Sequence, residues 1–133
     1  MILVDTSVLI DYLKGTENSA AEKLQELLDR SVPFGINSFI YQEILQGSRN
    51  KVEFNKLKAY LGTLDFYELS DGHNSYEKAA YINFLCRRSG VIVRSTVDLL
   101  IAQTAIEHGI PLLHNDSDFD RIAGVVRELV IYR

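Results

Sequence analysis

A single cysteine, Cys86, stands in 133 residues. That count excludes a disulfide framework and a thiolate metal site. Cys86 is read as a small buried hydrophobe in a cytoplasmic protein. No apolar run approaches the roughly 20 residues of a membrane-spanning helix. The opening MILVDTSVLIDYLKG has no basic leading region and too short an apolar part to be read as a signal peptide. No Gly-rich phosphate loop is present, which argues against nucleotide binding of that kind. No internal repeat, low-complexity tract or linker divides the chain, so residues 1–133 are expected to form one domain. Positive charge is also scarce: 14 Lys and Arg face 18 Asp and Glu, a formal net charge of -4. Phosphate affinity comes mostly from basic side chains. A nucleic-acid partner would therefore require a local basic patch or a bound cation.

What is there is an ordinary globular composition, 47% hydrophobic and 24% charged, enough to bury a core. Short apolar runs at 2–4 (ILV), 34–36 (FGI), 64–69 (LDFYEL), 111–114 (PLLH) and 129–132 (LVIY) read as strands, the third with edge character. Helical periodicity fills the gaps. It covers 17–30 and 39–47, the latter capped by Ser38. Asn50 with Glu53 reads as a capping box opening a helix that ends near Gly62. Asn74 with Glu77 reads as another, ending near Gly90. Thr96 caps a helix to His108, stopped by Gly109 and Pro111. This alternation predicts an α/β domain of three layers with a mainly parallel central sheet of about five strands.

In such sheets ligands sit outside the carboxyl ends of the strands. Asp5 follows ILV directly, and Asp116 comes two residues after LLH. Asp is also common in turns and at helix starts, which is the plainer account of either one alone. Two further acids interrupt apolar surfaces. On the 39–47 helix Glu43 falls between Phe39 and Ile40, while Gln42 and Gln46 carry the polar face. On the 97–108 helix Asp98 sits beside Ala102 and Ala105 in the apolar arc, while Gln103, Thr104 and Glu107 supply the wet face. A helix-dipole contact for Asp98 and a buried salt bridge for Glu43 are the structural alternatives. If Asp5, Glu43, Asp98 and Asp116 converge, each pair at about 4 Å repels by about 4 kcal/mol at an effective dielectric of 20. A cation between them would relieve that. Oxygen ligands favour Mg²⁺ or Mn²⁺, whose bound water is acidified and whose charge offsets that of a phosphodiester.

Other acid-rich sites fit less well. An EF-hand beginning at Asp116 would place Gly where Arg121 stands and Glu where Arg127 stands. An Asp-x-Asp phosphatase needs a second Asp where Ser7 stands. A phosphoacceptor signalling domain wants adjacent acids and a late Lys, and neither is found. His73, His108 and His114 lack ligand spacing and are read as structural or surface residues. No Ser–His–Asp arrangement is evident.

LVDTSVLIDYL, SFIYQEILQG at 38–47, TVDLLIAQTAIEHGIPLLHNDSDFDRIA at 96–123 and the late LVIY together resemble a PIN domain. More closely, they resemble the VapC-type toxins of toxin–antitoxin pairs, in order and over nearly the whole chain. The resemblance implies a Mg²⁺-dependent endoribonuclease, with Mn²⁺ able to substitute, that hydrolyses RNA by metal-activated water and leaves a 5′-phosphate and a 3′-hydroxyl. It maps the acidic quartet onto Asp5, Glu43, Asp98 and Asp116. Glu43 would hold metal or orient the attacking water. Thr6 or Ser7 supplies a hydroxyl supporting the first Asp, and Asp118 is an additional acid, either standing behind the metal ligands or linked to the metal. Asp11 matches a frequent family acid but is read as helix surface or structural. Asn115 stands where Thr or Ser is common. The resemblance also implies a homodimer, or a complex with an antitoxin through which alone DNA is met. Arg49, Lys51, Lys56 and Lys58, and a second group of Arg87, Arg88 and Arg94, are candidates to flank the RNA groove, Arg49 and Arg94 foremost; a solvated helix face is the plainer account of either group. A non-catalytic binding module with a structural cation, acting through its partner, is the second reading of the same pocket.

Overall fold

Short apolar strands that alternate with longer amphipathic helices bury themselves by lining up side by side under helical cover. The computed structural model describes Met1–Arg133. The elements run β1 (Ile2–Val4), α1 (Thr6–Lys14), α2 (Ser19–Asp29), β2 (Phe34–Ile36), α3 (Ser38–Gln46), α4 (Lys51–Leu61), β3 (Asp65–Phe66), α5 (His73–Arg88), α6 (Thr96–His108), β4 (Leu112–Leu113) and α7 (Ser117–Val125). The strands form one sheet in the order β3-β2-β1-β4, and every pairing is parallel. Helices flank it in the expected three-layer α/β/α arrangement. β1, β2 and β4 are fully buried and wholly apolar but for Gly35, as strands covered on both faces must be.

The sheet has four strands where about five were expected. The run 129–132 contributes one parallel bridge, Ile131 to Leu112, with Leu112 N–H donating to Val130 O and Tyr132 N–H to Leu112 O, both at 2.9 Å. β4 is itself two residues long, so it offers a neighbour no longer ladder. The third strand narrows from 64–69 to Asp65–Phe66, both exposed at the open edge.

The helix starts show where side chains within one turn compete. Asn37, not Ser38, caps α3: its Oδ1 accepts from Ile40 N–H at 2.9 Å. Its buried Nδ2 donates to Thr104 Oγ1 at 3.1 Å, a second bond that ties the cap to α6. Ser38 instead donates its N–H and hydroxyl to Glu68. Asn50 caps α4 as expected, accepting from Glu53 N–H at 2.8 Å, but the Glu53 carboxylate turns to Arg49. The capping box at Asn74 and Glu77 does not form. Gly72, with φ +53°, starts α5 two residues earlier and leaves Asn74 inside it. α6 is preceded by Ser95 rather than capped by Thr96, and no side chain caps it. The supposed wet face of α6 is largely dry: Gln103 and Thr104 are buried. α6 packs against α3, α5 and α7. Its polar groups are satisfied inside, Thr104 donating to Leu100 O at 2.7 Å and Gln103 to Glu107 at 3.2 Å. Cys86 is buried in the core.

β1 is flanked by β2 on one side and β4 on the other. Chain direction reverses its march across the sheet there, and that reversal opens a crevice at the carboxyl ends of β1 and β4. The register Leu3↔Leu112 and Val4↔Leu113 brings Asp5 level with the first residue after β4, and Asp5 N–H donates to Leu113 O at 2.9 Å.

The β2–β3 contact leaves no room for a side chain at Gly35. A Cβ there would collide with the backbone carbonyl of Asp65 and stand 2.6 Å from the Tyr67 ring. Backbone cannot yield as a flexible side chain can, so Gly35→Ala is expected to destabilise by about 2–3 kcal/mol. Urea unfolding measures this, and a change below about 0.5 kcal/mol would show that β3 is free to move away.

Candidate metal centre

Four segments deliver acids to the crevice. Asp5 follows β1 in extended conformation (φ -74°, ψ 157°) and caps α1. Its Oδ2 accepts from Ser7 N–H at 3.1 Å and Ser7 Oγ at 2.6 Å. Ser7 Oγ in turn accepts from Asn115 N–H at 3.0 Å, tying the end of β1 to the loop after β4. The neighbouring hydroxyl serves another acid: Thr6 Oγ1 donates to Glu43 Oε1 at 2.8 Å. Of the two hydroxyls expected to support the first acid, Ser7 does so and Thr6 holds Glu43.

Asp116 caps α7, its Oδ1 accepting from Asp118 N–H at 3.0 Å. The Asp116 N–H donates to His114 Nδ1 at 3.0 Å. Nδ1 therefore carries no proton, and Nε2–H points to Asp120 Oδ1 at 3.2 Å. His114 is structural, as expected, and fixes the backbone of Asp116. Asp11 is structural too, accepting from the side-chain amides of Asn18 at 2.9 Å and Asn115 at 3.3 Å.

Asp98 stands in the first turn of α6, where it could have returned a bond to the helix start. It faces the other acids instead. Carboxylate oxygens of Asp98, Asp116 and Asp118 lie within 4.8 Å of one another. Burial above all, then the charges of Asp5, Asp116, Glu43 and Asp118, push the Asp98 carboxyl up to about 7. All four acids of the expected quartet thus meet at one place. Burial raises Asp5, opposed by the Ser7 hydroxyl and N–H, by Thr6 N–H and by His114. Burial also raises Glu43, opposed by Thr6 and reinforced by Asp5.

The centre divides by how each acid is compensated. Asp5 and Glu43 have hydroxyl donors. Asp118 has Arg94, with Nε at 3.3 Å and Nη2 at 3.2 Å, and also Arg121 Nη1. Asp98 has no cation: none of the salt bridges reaches it. An oxygen-only donor set around a carboxyl surrounded by like charges fits a hard divalent cation of the Mg²⁺ or Mn²⁺ kind.

Not every expected residue joins. Arg49 pairs with Glu53 at 3.1 Å and is mostly exposed. Arg88 lies 5.7 Å over the Phe84 ring. Arg94 does reach the centre, through Asp118. Arg121 and Asn37 were missed from sequence. Arg121 had a signal, standing three residues beyond Asp118 on one helix face.

The sign of the Asp98 shift sets a pH dependence. Its folded-state pKa lies above the ordinary value, so ionisation favours the unfolded chain. The stability it contributes is full below about 4 and is lost as pH rises through about 7. In EDTA the melting-temperature advantage of Asp98→Asn over wild type is expected to widen from about pH 4 to about pH 7 and then stay level. An advantage that does not change across that window would mean Asp98 titrates normally.

The PIN domain family model matches residues 2–125. The chain is 35% identical over 126 residues to the VapC ribonuclease Mb1587 of Mycobacterium bovis, covering 94% of this chain and 93% of that protein. It is 32% identical over 123 residues to ribonuclease VapC51 of Mycobacterium tuberculosis, covering 92% and 85%. Among solved structures, VapBC2 from Rickettsia felis, bound to a DNA fragment from its promoter, superposes with a TM-score of 0.76 at 23% identity, over 99% of this chain and 98% of that one. With an acid-lined crevice at the sheet's switch point and relatives that match it over nearly its whole length, the chain belongs to the PIN domain family and, within it, to the VapC ribonucleases.

Proposed function

We propose that this chain is a Mg²⁺-dependent endoribonuclease, the toxin of a toxin–antitoxin pair. The observation that carries the reading is Asp98: a part-buried carboxyl ringed by Asp5, Asp116, Glu43 and Asp118, raised to about 7 and left without a cation. Asp5, Asp98 and Asp116 would hold the ion, and Mn²⁺ is able to replace Mg²⁺ there. When bound, the ion supplies acidified water and offsets phosphate charge.

The chain's own groups do the rest. Ser7 and Asn115 keep the Asp5 carboxylate aimed at the crevice. Thr6 occupies Oε1 of Glu43 and leaves Oε2 free to accept a proton from the attacking water. Burial raises Glu43 above an ordinary carboxylate, which makes it a better general base. The His114 ring holds Asp116 from behind.

The partners follow from the same reading. RNA is the substrate, a cognate antitoxin is the protein partner, and the toxin is a homodimer or a heteromeric complex with that antitoxin. DNA is met only through the antitoxin; the structurally similar VapBC2 of Rickettsia felis is bound to a DNA fragment from its promoter. No helix is long and apolar enough to cross a membrane. Arg49 remains on the RNA path, away from the acids.

Cleavage of a mixed RNA pool by antitoxin-free protein, with Mg²⁺, Mn²⁺ or EDTA, tests the reading. Cutting is expected with either metal, absent in EDTA, and reduced about 100-fold or more in Asp98→Asn. Mg²⁺ is expected to raise the melting temperature of wild type and to do so far less in Asp98→Asn. Equal cutting by both proteins would assign the activity to a contaminant and restore the binding-module reading.

A further inference from the structure

Asp118 stands among the acids of the centre, yet its surroundings differ from theirs. It is 3% exposed, and both of its oxygens are taken by guanidinium groups. Arg94 docks side-on, Nε to Oδ2 and Nη2 to Oδ1, and Arg121 Nη1 also reaches Oδ1. Asp98 and Asp116 have no such partners. A divalent cation brought onto Asp118 would compete with two guanidinium groups bonded directly to its oxygens, whereas no arginine is bonded to Asp98 or Asp116.

The two arginines are not equivalent. Arg121 comes from the same helix and is pinned again by Ser117, Nη2 to Oγ at 3.2 Å. Arg94 comes from the segment joining α5 to α6, four residues ahead of Asp98, and its side chain is 73% exposed. Docking by Nε and Nη2 leaves Nη1 and the outer edge of the fork free, two parallel N–H directions of the kind that match a pair of phosphate oxygens. A rotamer-rich side chain at an exposed rim would ordinarily wander. The bidentate bond to a buried carboxylate fixes it beside the cluster.

We infer that Asp118 is not a cation ligand but the anchor of Arg94, and that Arg94, so held, is a catalytic residue that grips the non-bridging oxygens of the scissile phosphodiester. Asp118 is then a positioning residue. The inference rests on the ribonuclease reading and sharpens it. It supplies a preorganised positive charge to the phosphate beside the acids that would hold the ion, where charge develops in the transition state.

The test uses the full chain freed of antitoxin, with Mn²⁺ binding followed by electron paramagnetic resonance and RNA cleavage by steady-state kinetics. Asp118→Asn is expected to bind Mn²⁺ within about threefold of wild type while kcat falls about tenfold or more. Arg94→Ala is expected to lose about 100-fold in kcat with little change in KM. Arg94→Lys should recover little of that, since an ammonium lacks the fork. The double variant should be no worse than Arg94→Ala, because the two residues act as one unit. A roughly tenfold or greater loss of Mn²⁺ affinity in Asp118→Asn would make it a ligand and overturn the inference. So would an Arg94→Ala protein with unchanged kcat. Because Arg94 is exposed, that variant keeps the test open if Asp118→Asn does not fold. Wild type that binds Mn²⁺ and cuts no RNA sinks the ribonuclease reading and the role of Arg94 with it, while the Mn²⁺ comparison still decides whether Asp118 is a ligand.

Discussion

Repulsion between carboxylates is the constraint on which the rest of this molecule turns. Oxygens of Asp98, Asp116 and Asp118 come within 4.8 Å of one another, a separation at which each ionised pair repels by about 3 kcal/mol at an effective dielectric of 20. A stable domain has only about 5–15 kcal/mol in hand. The fold therefore has to do two things at once: hold the acids together, and limit how many are ionised and uncompensated when no ion is bound. It holds them with backbone. Asp5 directly ends β1, whose register with β4 is fixed by a fully apolar, fully buried ladder, and Asp116, three residues beyond β4, is held as the cap of α7 and through its N–H bond to His114.

The charge is limited acid by acid, with a different device each time. Asp5 is given two donors by Ser7, Glu43 one by Thr6, and Asp118 two guanidinium groups. Asp98 receives none of these and answers by keeping its proton up to about pH 7. A carboxyl with a raised pKa and no donor is poorly stabilised as it stands, and is the group that gains most from an arriving divalent ion. Compensation everywhere else concentrates the binding drive at Asp98 and Asp116. The residual strain sits where it is useful.

Much of this was legible in the sequence, for physical reasons that name particular residues. Asp5 and Asp116 followed from the rule that open α/β sheets do their chemistry at strand carboxyl ends. Glu43 and Asp98 followed from acids that break an apolar helical arc, because burying a charge without cause is too costly to be accidental. Periodicity failed where tertiary contacts decide. Gln103 and Thr104 looked wet because they are polar, but α6 is covered on several sides and satisfies them internally. Asn37 and Ser38 are both good caps, and only the contact with Thr104, far along the chain, selects Asn37. Gly72 overrode the Asn74 box through a positive φ that no side-chain pattern announces. The pairing of Arg94 with Asp118 spans 24 residues and two elements and has no local signature.

The net acidity of the chain, -4, is at first sight a poor match for a polyanionic substrate. The arrangement of charge resolves it. Long-range attraction to phosphate scales with the basic groups a protein presents, and this one presents few near the crevice: Arg49 is paired with Glu53 and Arg88 lies over an aromatic ring. Close to the acids, however, Arg94 and Arg121 already offset part of the negative charge, and a divalent ion would offset most of what remains. On the proposed reading, affinity for RNA is conditional on the ion. Without it the crevice repels phosphate and Asp98 stays protonated at lower pH; with it the same crevice turns attractive over a few ångströms only. For the ribonuclease proposed above, selectivity among RNAs would then fall to the shape of the crevice rather than to the charge around it.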